Sequence, residues 1–154
     1  MKPITPALFV MATLLLAGQT ASRAASSPVR FFPAAQVSAA FEKGMPLLET
    51  DGYKIHASRR ESPGMAEIHT RDTDIIYVLQ GTATLVIGGE AVNAKTTASN
   101  ELRGTAITGG DRRQLAKGDV LVVPNGVPHL FEQTSKPFLY YVVKATSPST
   151  GGTQ

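Results

Sequence analysis

The chain has 154 residues, of which 42% are hydrophobic and 18% are charged, and its formal net charge is +3. This length suggests a single domain that is large enough to bury a real core, and the composition is ordinary for a globular protein. The absence of cysteine excludes disulfides, a thiolate nucleophile and sulfur ligands for a metal. The chain also lacks tryptophan and has only 6% aromatic residues, so nothing indicates a base-stacking surface for nucleic acid.

Residues 1–24 have the pattern of a secretory signal peptide. Lys2 gives a positive start, the apolar run ALFVMATLLLAG follows, and small residues precede the expected cleavage site after Ala24. About twelve apolar residues are too few to cross a bilayer comfortably. We therefore expect a periplasmic or secreted protein with no membrane attachment after cleavage. Loss of Lys2 and Arg23 lowers the excess of basic over acidic residues from three to one, which removes the main support for binding nucleic acid or an anionic membrane.

Residues 25–45 are expected to form an extended lead-in followed by one short helix. The segment PAAQVSAAFEKG, residues 33–44, has proline at its start, helix-forming residues inside and glycine at its end. Val37 and Phe41 lie four residues apart, so they share one face of such a helix and can dock together. At the other end of the chain, residues 147–154 are too small and polar to pack and are expected to form a flexible tail.

Residues 46–146 consist of short apolar runs separated by Gly, Pro, Asn and Asp. Strands at this spacing, with no second helical pattern, predict an all-β sandwich or barrel. The segment MPLLET offers an open edge to a second chain, so we expect a homodimer. The turn-rich segment 89–113 is expected either as a hairpin over the barrel mouth or as an extension of a sheet edge. The predicted strands cover residues 53–60, 66–70, 74–80, 82–88, 104–110, 119–124, 128–133 and 137–145.

Two clusters of ionisable residues mark the expected functional site. In EIHTRDTDIIYVLQG, alternation along a strand places Glu67, His69 and Arg71 on one face. Asp74 starts the next strand and shares its face with aliphatic residues further along, as in a barrel with a polar opening. In the second cluster, His129 begins the strand that follows a tight Asn-Gly turn. Two histidines on facing strand ends, joined by a carboxylate, form a better ligand set than a lone histidine.

The second cluster resembles the second motif of the cupin family. That motif runs glycine, five residues, proline, one residue, glycine, two residues, histidine, three residues, asparagine. Here the matching residues are Gly118, Pro124, Gly126 and His129, and Gln133 stands at the asparagine position.

The first cluster resembles the first cupin motif in a variant form. Gly64, His69 and Gly81 stand at the motif's glycines and first histidine. Arg71 replaces the second histidine, and Asp74 replaces the glutamate after a gap that is one residue shorter. Together, the two motifs extend the resemblance over about residues 66–143, most of the chain after the signal peptide.

The resemblance implies a small jelly-roll β-barrel that holds one divalent metal. Its ligands here would be His69, Asp74 and His129, with Glu67 either as a fourth ligand or as a general base beside the metal. Neutral imidazole and carboxylate suit Fe, Mn, Ni, Co or Zn, and a facial arrangement leaves positions open for substrate or oxygen. Arg71 cannot ligate a metal, because its guanidinium stays protonated. We expect it instead to hold a substrate anion.

Two classes of function follow from this pattern. The first is a metal-dependent enzyme that acts on a small polar or anionic molecule as an oxygenase, decarboxylase, isomerase or lyase. The second is a non-catalytic barrel that binds or senses a small molecule, with or without a structural metal. If Arg71 only pairs with Asp74 or Glu67, the cluster is a salt-bridge network without a metal. The excess of acids and histidines over this single arginine favours the metal, because a bare network would bury unpaired charge.

Overall fold

This computed structural model describes residues 28–148. These residues contain thirteen strands and one helix, joined by turns. The predicted signal peptide and tail residues 149–154 lie outside the described residues. The chain divides at Arg30, and every element belongs to the unit that begins at Phe31. None of the described helical residues forms a span long and apolar enough to cross a membrane. The elements are α1 (Ala34–Lys43), β1 (Pro46–Glu49), β2 (Tyr53–Arg60), β3 (Ala66–His69), β4 (Asp72–Gln80), β5 (Thr82–Ile87), β6 (Glu90–Val92), β7 (Lys95–Ala98), β8 (Glu101–Gly104), β9 (Ala106–Thr108), β10 (Asp111–Ala116), β11 (Val120–Val123), β12 (His129–Thr134) and β13 (Phe138–Thr146).

The helix α1 confirms the short N-terminal helix predicted from the sequence. It follows Pro33 and ends at Gly44, whose φ of 65° lies in the left-handed region that favours glycine. One turn before this end, the ring of Phe41 meets the ring of Tyr141 edge-on, with 4.9 Å between the ring centroids. The helix is therefore fastened to β13, a central strand of the neighbouring sheet.

Eleven of the described strands form two antiparallel sheets with an apolar core, which confirms the predicted all-β jelly-roll barrel. The five-stranded sheet has the order β1-β2-β13-β4-β11, and the six-stranded sheet has the order β10-β5-β12-β3-β8-β7. Side chains along β4 alternate between buried and more exposed positions, as expected for a strand with one face inward. The apolar core consists of Ile76, Val78, Ala83, Leu85, Leu115, Phe131, Phe138, Tyr140 and Val142.

The turn-rich segment 89–113 extends a sheet edge. β8 pairs with β3, and β7 continues the six-stranded sheet beyond β8. β6 and β9 form a separate two-stranded ribbon. The sequence pattern misses β10, because Leu115 is the only one of its residues that is buried and its two arginines resemble a turn. This edge extension matters for the site, because β8 brings two charged side chains to the barrel interior.

Candidate metal centre

A cavity of about 260 Å³ opens into the barrel between the two sheets. Strands β2, β3, β4, β8, β12 and β13 each contribute side chains to its wall. The wall is polar toward one end and joins the apolar core at the other. Its lining residues are His56, Ser58, Arg60, Glu67, His69, Asp74, Ile76, Glu101, Arg103, His129, Phe131, Tyr140, Val142 and Lys144.

Two buried histidines lie next to each other in the wall of this cavity. His69 is the last residue of β3 and His129 the first of β12, and their ring centroids lie 5.2 Å apart. The Nδ1–H of His129 donates to the carbonyl oxygen of Val127 at 3.2 Å. This bond fixes the ring and leaves its Nε2 lone pair for another partner, the usual arrangement of a histidine that ligates a metal.

Glu67 joins the two histidines in a compact donor set. It lies opposite His129 in the register of β3 and β12, and its Oε2 is 3.6 Å from His69 Nε2. One donor atom each from Glu67, His69 and His129 lie within 4.8 Å of one another. Asp74 is close as well, with its Oδ2 at 3.5 Å from His69 Nε2 and 3.9 Å from His129 Nε2. The structure thus brings together four of the five residues that the sequence singled out.

Lys144 occupies the middle of this group, and sequence reasoning did not identify it. Its Nζ lies 2.8 Å from both carboxylate oxygens of Asp74 and 2.9 Å from His69 Nε2. The signal was present, because Tyr140, Val142 and Lys144 alternate along one strand and therefore share its inward face. The ammonium donates to all three acceptor atoms, so the hydrogen of His69 resides on Nδ1.

The titration behaviour of the cluster follows from burial and from these cations. Burial lowers the pKa of His69 and the positive charge of Lys144 lowers it further, so the imidazole is neutral near neutral pH. Burial raises the pKa of Glu67, but the basic groups around it, with Arg60 and Arg103 first among them, together outweigh this effect and hold the pKa below its usual value. Glu67 is therefore ionised. A neutral imidazole and an ionised carboxylate are the protonation states that bind metals.

The structure differs from the sequence-based expectation at Arg71. Its guanidinium donates two hydrogen bonds to the backbone carbonyl oxygen of Ser147, and it is absent from the described residues that line the cavity. Alternation would point Arg71 inward only if β3 continued, but β3 ends at His69 and the chain bends toward β4 in the other sheet. Arg71 is thus held at the chain's C-terminal end, away from the donor set.

Other cations take the place expected of Arg71. Arg60 Nη2 lies 3.3 Å from Glu67 Oε1, and Arg103 Nη1 lies 3.5 Å from the same oxygen. Arg103 also binds Glu101 at 2.6 Å. Among the described residues that line the cavity, three cations therefore face three carboxylates. This balance corrects the sequence-based argument for a metal, since no acid in the cavity is left without a positive partner.

The donor chemistry nevertheless fits a divalent metal. Two imidazole nitrogens and a carboxylate form a set that suits first-row transition metals and zinc. The bond from His129 to Val127 provides the outer support that metal-binding histidines normally have. Binding through His69 requires its Nε2 lone pair, which accepts a hydrogen bond from Lys144 in this structure.

Comparison with known proteins assigns the chain to a family. The family model described as Cupin matches residues 26–153. The chain belongs to the cupin family. The match spans both strand-end clusters and all the described strands of this cupin. No curated protein matches the chain.

Solved structures resemble this cupin in fold at low sequence identity. BH2720 from Bacillus halodurans has a TM-score of 0.55 at 15% identity, covering 80% of this chain and 87% of that one. A putative mannose-6-phosphate isomerase from Ralstonia eutropha JMP134 has a TM-score of 0.48 at 21% identity, covering 68% and 83%. Peruvianin-I, a cysteine peptidase from Thevetia peruviana latex, has a TM-score of 0.43 at 14% identity, covering 62% of this chain and 51% of its own. The chain thus spans about half of Peruvianin-I, and these likenesses concern the fold alone.

Proposed function

We propose that this cupin binds one divalent metal through Glu67, His69 and His129 and acts as an enzyme on a small anionic molecule. The observation that carries the proposal is the convergence of three suitable donor atoms within 4.8 Å at the wall of an open cavity. A metal held there would supply Lewis acidity and open coordination positions for a substrate or for oxygen. The ion is Fe, Mn, Ni, Co or Zn, in keeping with the nitrogen and oxygen donors.

The cavity supports the choice of substrate class. A volume of about 260 Å³ admits only a small molecule. Arg60 and Arg103 line it, and their N–H groups can exchange a carboxylate of the protein for one of a ligand. The anion-holding role expected of Arg71 thus belongs in this proposal to these two residues. The reaction is of the oxygenase, decarboxylase, isomerase or lyase type. In each of these the substrate would be a small anion that the metal polarises or helps to oxidise.

Glu67 has a second role in the proposal if a metal leaves its carboxylate unligated. Its lowered pKa keeps the carboxylate ionised, so it can accept a proton from a bound molecule. Arg60 and Arg103 hold it at 3.3 and 3.5 Å and so fix its orientation at the cavity wall.

We also propose that the protein is exported to the periplasm or secreted. The support is the charged, apolar and small-residue pattern of residues 1–24. N-terminal sequencing of protein recovered from the extracytoplasmic fraction should begin at Ala25. Recovery of an uncleaved chain from the cytoplasm would contradict the proposal.

A metal-free binding barrel is the second candidate, and the charge balance of the cavity favours it. Lys144 already neutralises Asp74, and two arginines already pair with Glu67. Such a cavity is stable without an ion and could exchange one of these internal pairs for a ligand anion. In that case the protein would be a sensor or carrier of a small molecule.

Metal content separates the two candidates. The protein would be expressed from its full-length sequence, without a metal-binding tag, and analysed for bound elements beside three variants. We expect near-stoichiometric metal in the wild type, and its loss in His69→Ala and in His129→Ala. His56→Ala is the matched control, because His56 lines the same cavity but pairs with Glu49 at 2.9 Å; it should keep the metal. A wild type that is purified without metal and takes up none when metal is added would leave the metal-free binding function as the better candidate.

A further inference from the structure

We infer that Lys144 is an internal competitor of the metal. In the metal-free protein its ammonium donates a hydrogen bond to the Nε2 of His69 and forms an ion pair with Asp74. The ammonium must turn away before a metal can bind to these groups. Its departure frees Asp74 to act as a fourth ligand beside Glu67, His69 and His129. This inference rests on the proposed metal site and adds to it a residue that sets its affinity.

The distances make the competition direct. Lys144 Nζ lies 2.9 Å from His69 Nε2 and 2.8 Å from each oxygen of Asp74. A neutral imidazole has one lone pair, so His69 Nε2 can accept from the ammonium or ligate a metal, but it cannot do both. The metal-binding face of this histidine is therefore already occupied by a cation that belongs to the protein.

The position of Lys144 is built into the fold. Lys144 and Asp74 are direct partners in the antiparallel register of β13 and β4. The Lys144 side chain is only 13% exposed, and that of Asp74 only 6%. Separating a pair that is shielded from water is costly, because it leaves an uncompensated buried charge. The competing cation is therefore present in every molecule rather than drawn in by chance.

A second cavity gives the displaced ammonium a place to go. This cavity has a volume of about 160 Å³, and its ionisable lining residues are Glu49, Lys54, His56, His69, Asp72, Glu101 and Lys144. Lys144 thus forms part of the wall between the two cavities. Its three carboxylates already pair with Lys54, His56 and Arg103, but a carboxylate can accept from more than one donor. A turn of the flexible Lys144 side chain therefore keeps its ammonium within reach of acceptor oxygens.

The test compares Co²⁺ binding by the wild type and by Lys144→Met, measured by calorimetry and by the visible spectrum of the ion. We expect Lys144→Met to lower the dissociation constant at least tenfold. The variant should also lower the melting temperature of the metal-free protein, because Asp74 loses its partner. The Co²⁺-loaded variant should melt at or above the temperature of the Co²⁺-loaded wild type. A lysine with a purely structural role would lower both melting temperatures.

Lys54→Met is the matched control. Lys54 is the register partner of Lys144 on β2 and carries the same charge. Its Nζ donates instead to Oδ2 of Asp72, at 2.6 Å. Its removal should change the Co²⁺ dissociation constant less than threefold. An equal gain in Lys54→Met would assign the effect to net charge and overturn the inference.

The outcomes separate this inference from the metal site itself. Equal or weaker Co²⁺ binding by Lys144→Met, with binding by the wild type, overturns the competition and leaves the proposed function standing. No binding by either protein overturns the metal site, and the inference with it. If Lys144→Met does not fold, the comparison moves to Asp74→Asn and Lys144→Met/Asp74→Asn. The double variant should then bind Co²⁺ at least tenfold more tightly than Asp74→Asn, and equal affinities would contradict the inference.

Discussion

The barrel interior has two regions, an apolar core and a polar cluster, and three strands contribute side chains to both. We define the polar cluster as Glu67, His69, Asp74, His129 and Lys144. On β4 the inward face runs from Asp74 to Ile76, on β12 from His129 to Phe131, and on β13 from Lys144 to Val142. Because side chains alternate strictly along a strand, the register that packs the core also aligns the cluster. The site is therefore positioned by the core beside it.

The two regions differ in what stabilises them. The apolar core stabilises the folded state in proportion to the apolar area that it removes from water, whichever aliphatic or aromatic group supplies that area. The polar cluster is stable only as long as each buried charge keeps its partner, since an isolated buried charge is very costly. A change in the core should thus alter the stability of the whole molecule, and a change in the cluster should alter binding in addition.

Truncation within the core is expected to have the largest effect. Phe138 is fully buried, and its ring centroid lies 5.6 Å from that of Phe131 and 5.2 Å from that of Tyr140. Phe138→Ala should lower the free energy of unfolding by about 4 kcal/mol, because it removes transfer energy and leaves a cavity. Urea denaturation measures this loss. The folded fraction should bind metal as the wild type does. A loss of stability below about 1 kcal/mol would contradict the assigned role of Phe138.

A charge change within the polar cluster should come next. Asp74→Asn leaves the ammonium of Lys144 without its ionic partner and should cost about 3 kcal/mol of unfolding free energy in the metal-free protein. The double variant Lys144→Met/Asp74→Asn removes both charges and should recover most of that loss. Urea denaturation of the wild type, both single variants and the double variant checks this. Additive losses in the double variant would mean that the two residues do not act as a pair.

Removal of the Arg71 side chain should have a smaller effect that leaves binding unchanged. Arg71 donates to the carbonyl oxygen of Ser147, close to the end of β13. Arg71→Ala should cost about 1 kcal/mol, the usual net contribution of such a hydrogen bond. Metal content and the affinity for small carboxylates should stay at wild-type values. A weaker affinity for anions would return Arg71 to the cavity and contradict its placement.

The smallest effect is expected on the outer surface. Arg112 and Glu132 form a two-bond ion pair at 2.7 and 2.9 Å, but their side chains are 63% and 33% exposed. Exposed pairs contribute little because water and salt screen them. Arg112→Ala should leave the urea midpoint within experimental error. A clear downward shift would show that the outer face of β10 contributes to stability, which its exposure argues against.

The sequence predicted the parts of this molecule that depend on local patterns. Strand spacing and turn residues predicted an all-β sandwich or barrel, and alternation placed Glu67 beside His69. The resemblance of the two motifs pointed to His69, Asp74 and His129. Arg71 was misplaced because alternation applies only within a strand, and the end of β3 at His69 is set by the passage to the other sheet.

The partners of the cluster depend on strand pairing between distant segments, which the sequence does not show. Lys144 meets Asp74 across a separation of 70 residues, and Arg103 meets Glu67 from a strand inside the turn-rich segment. The estimate of unpaired charge failed for this reason, since it counted only cations that are near in sequence.

The most direct test of the central claim is a crystal structure of the protein soaked in Co²⁺, with data collected on both sides of the cobalt absorption edge. We expect one strong anomalous peak within bonding distance of Glu67, His69 and His129, and we expect the ammonium of Lys144 to have left His69. An anomalous map without a peak in the cavity, and with Lys144 still bonded to His69 and Asp74, would contradict that claim.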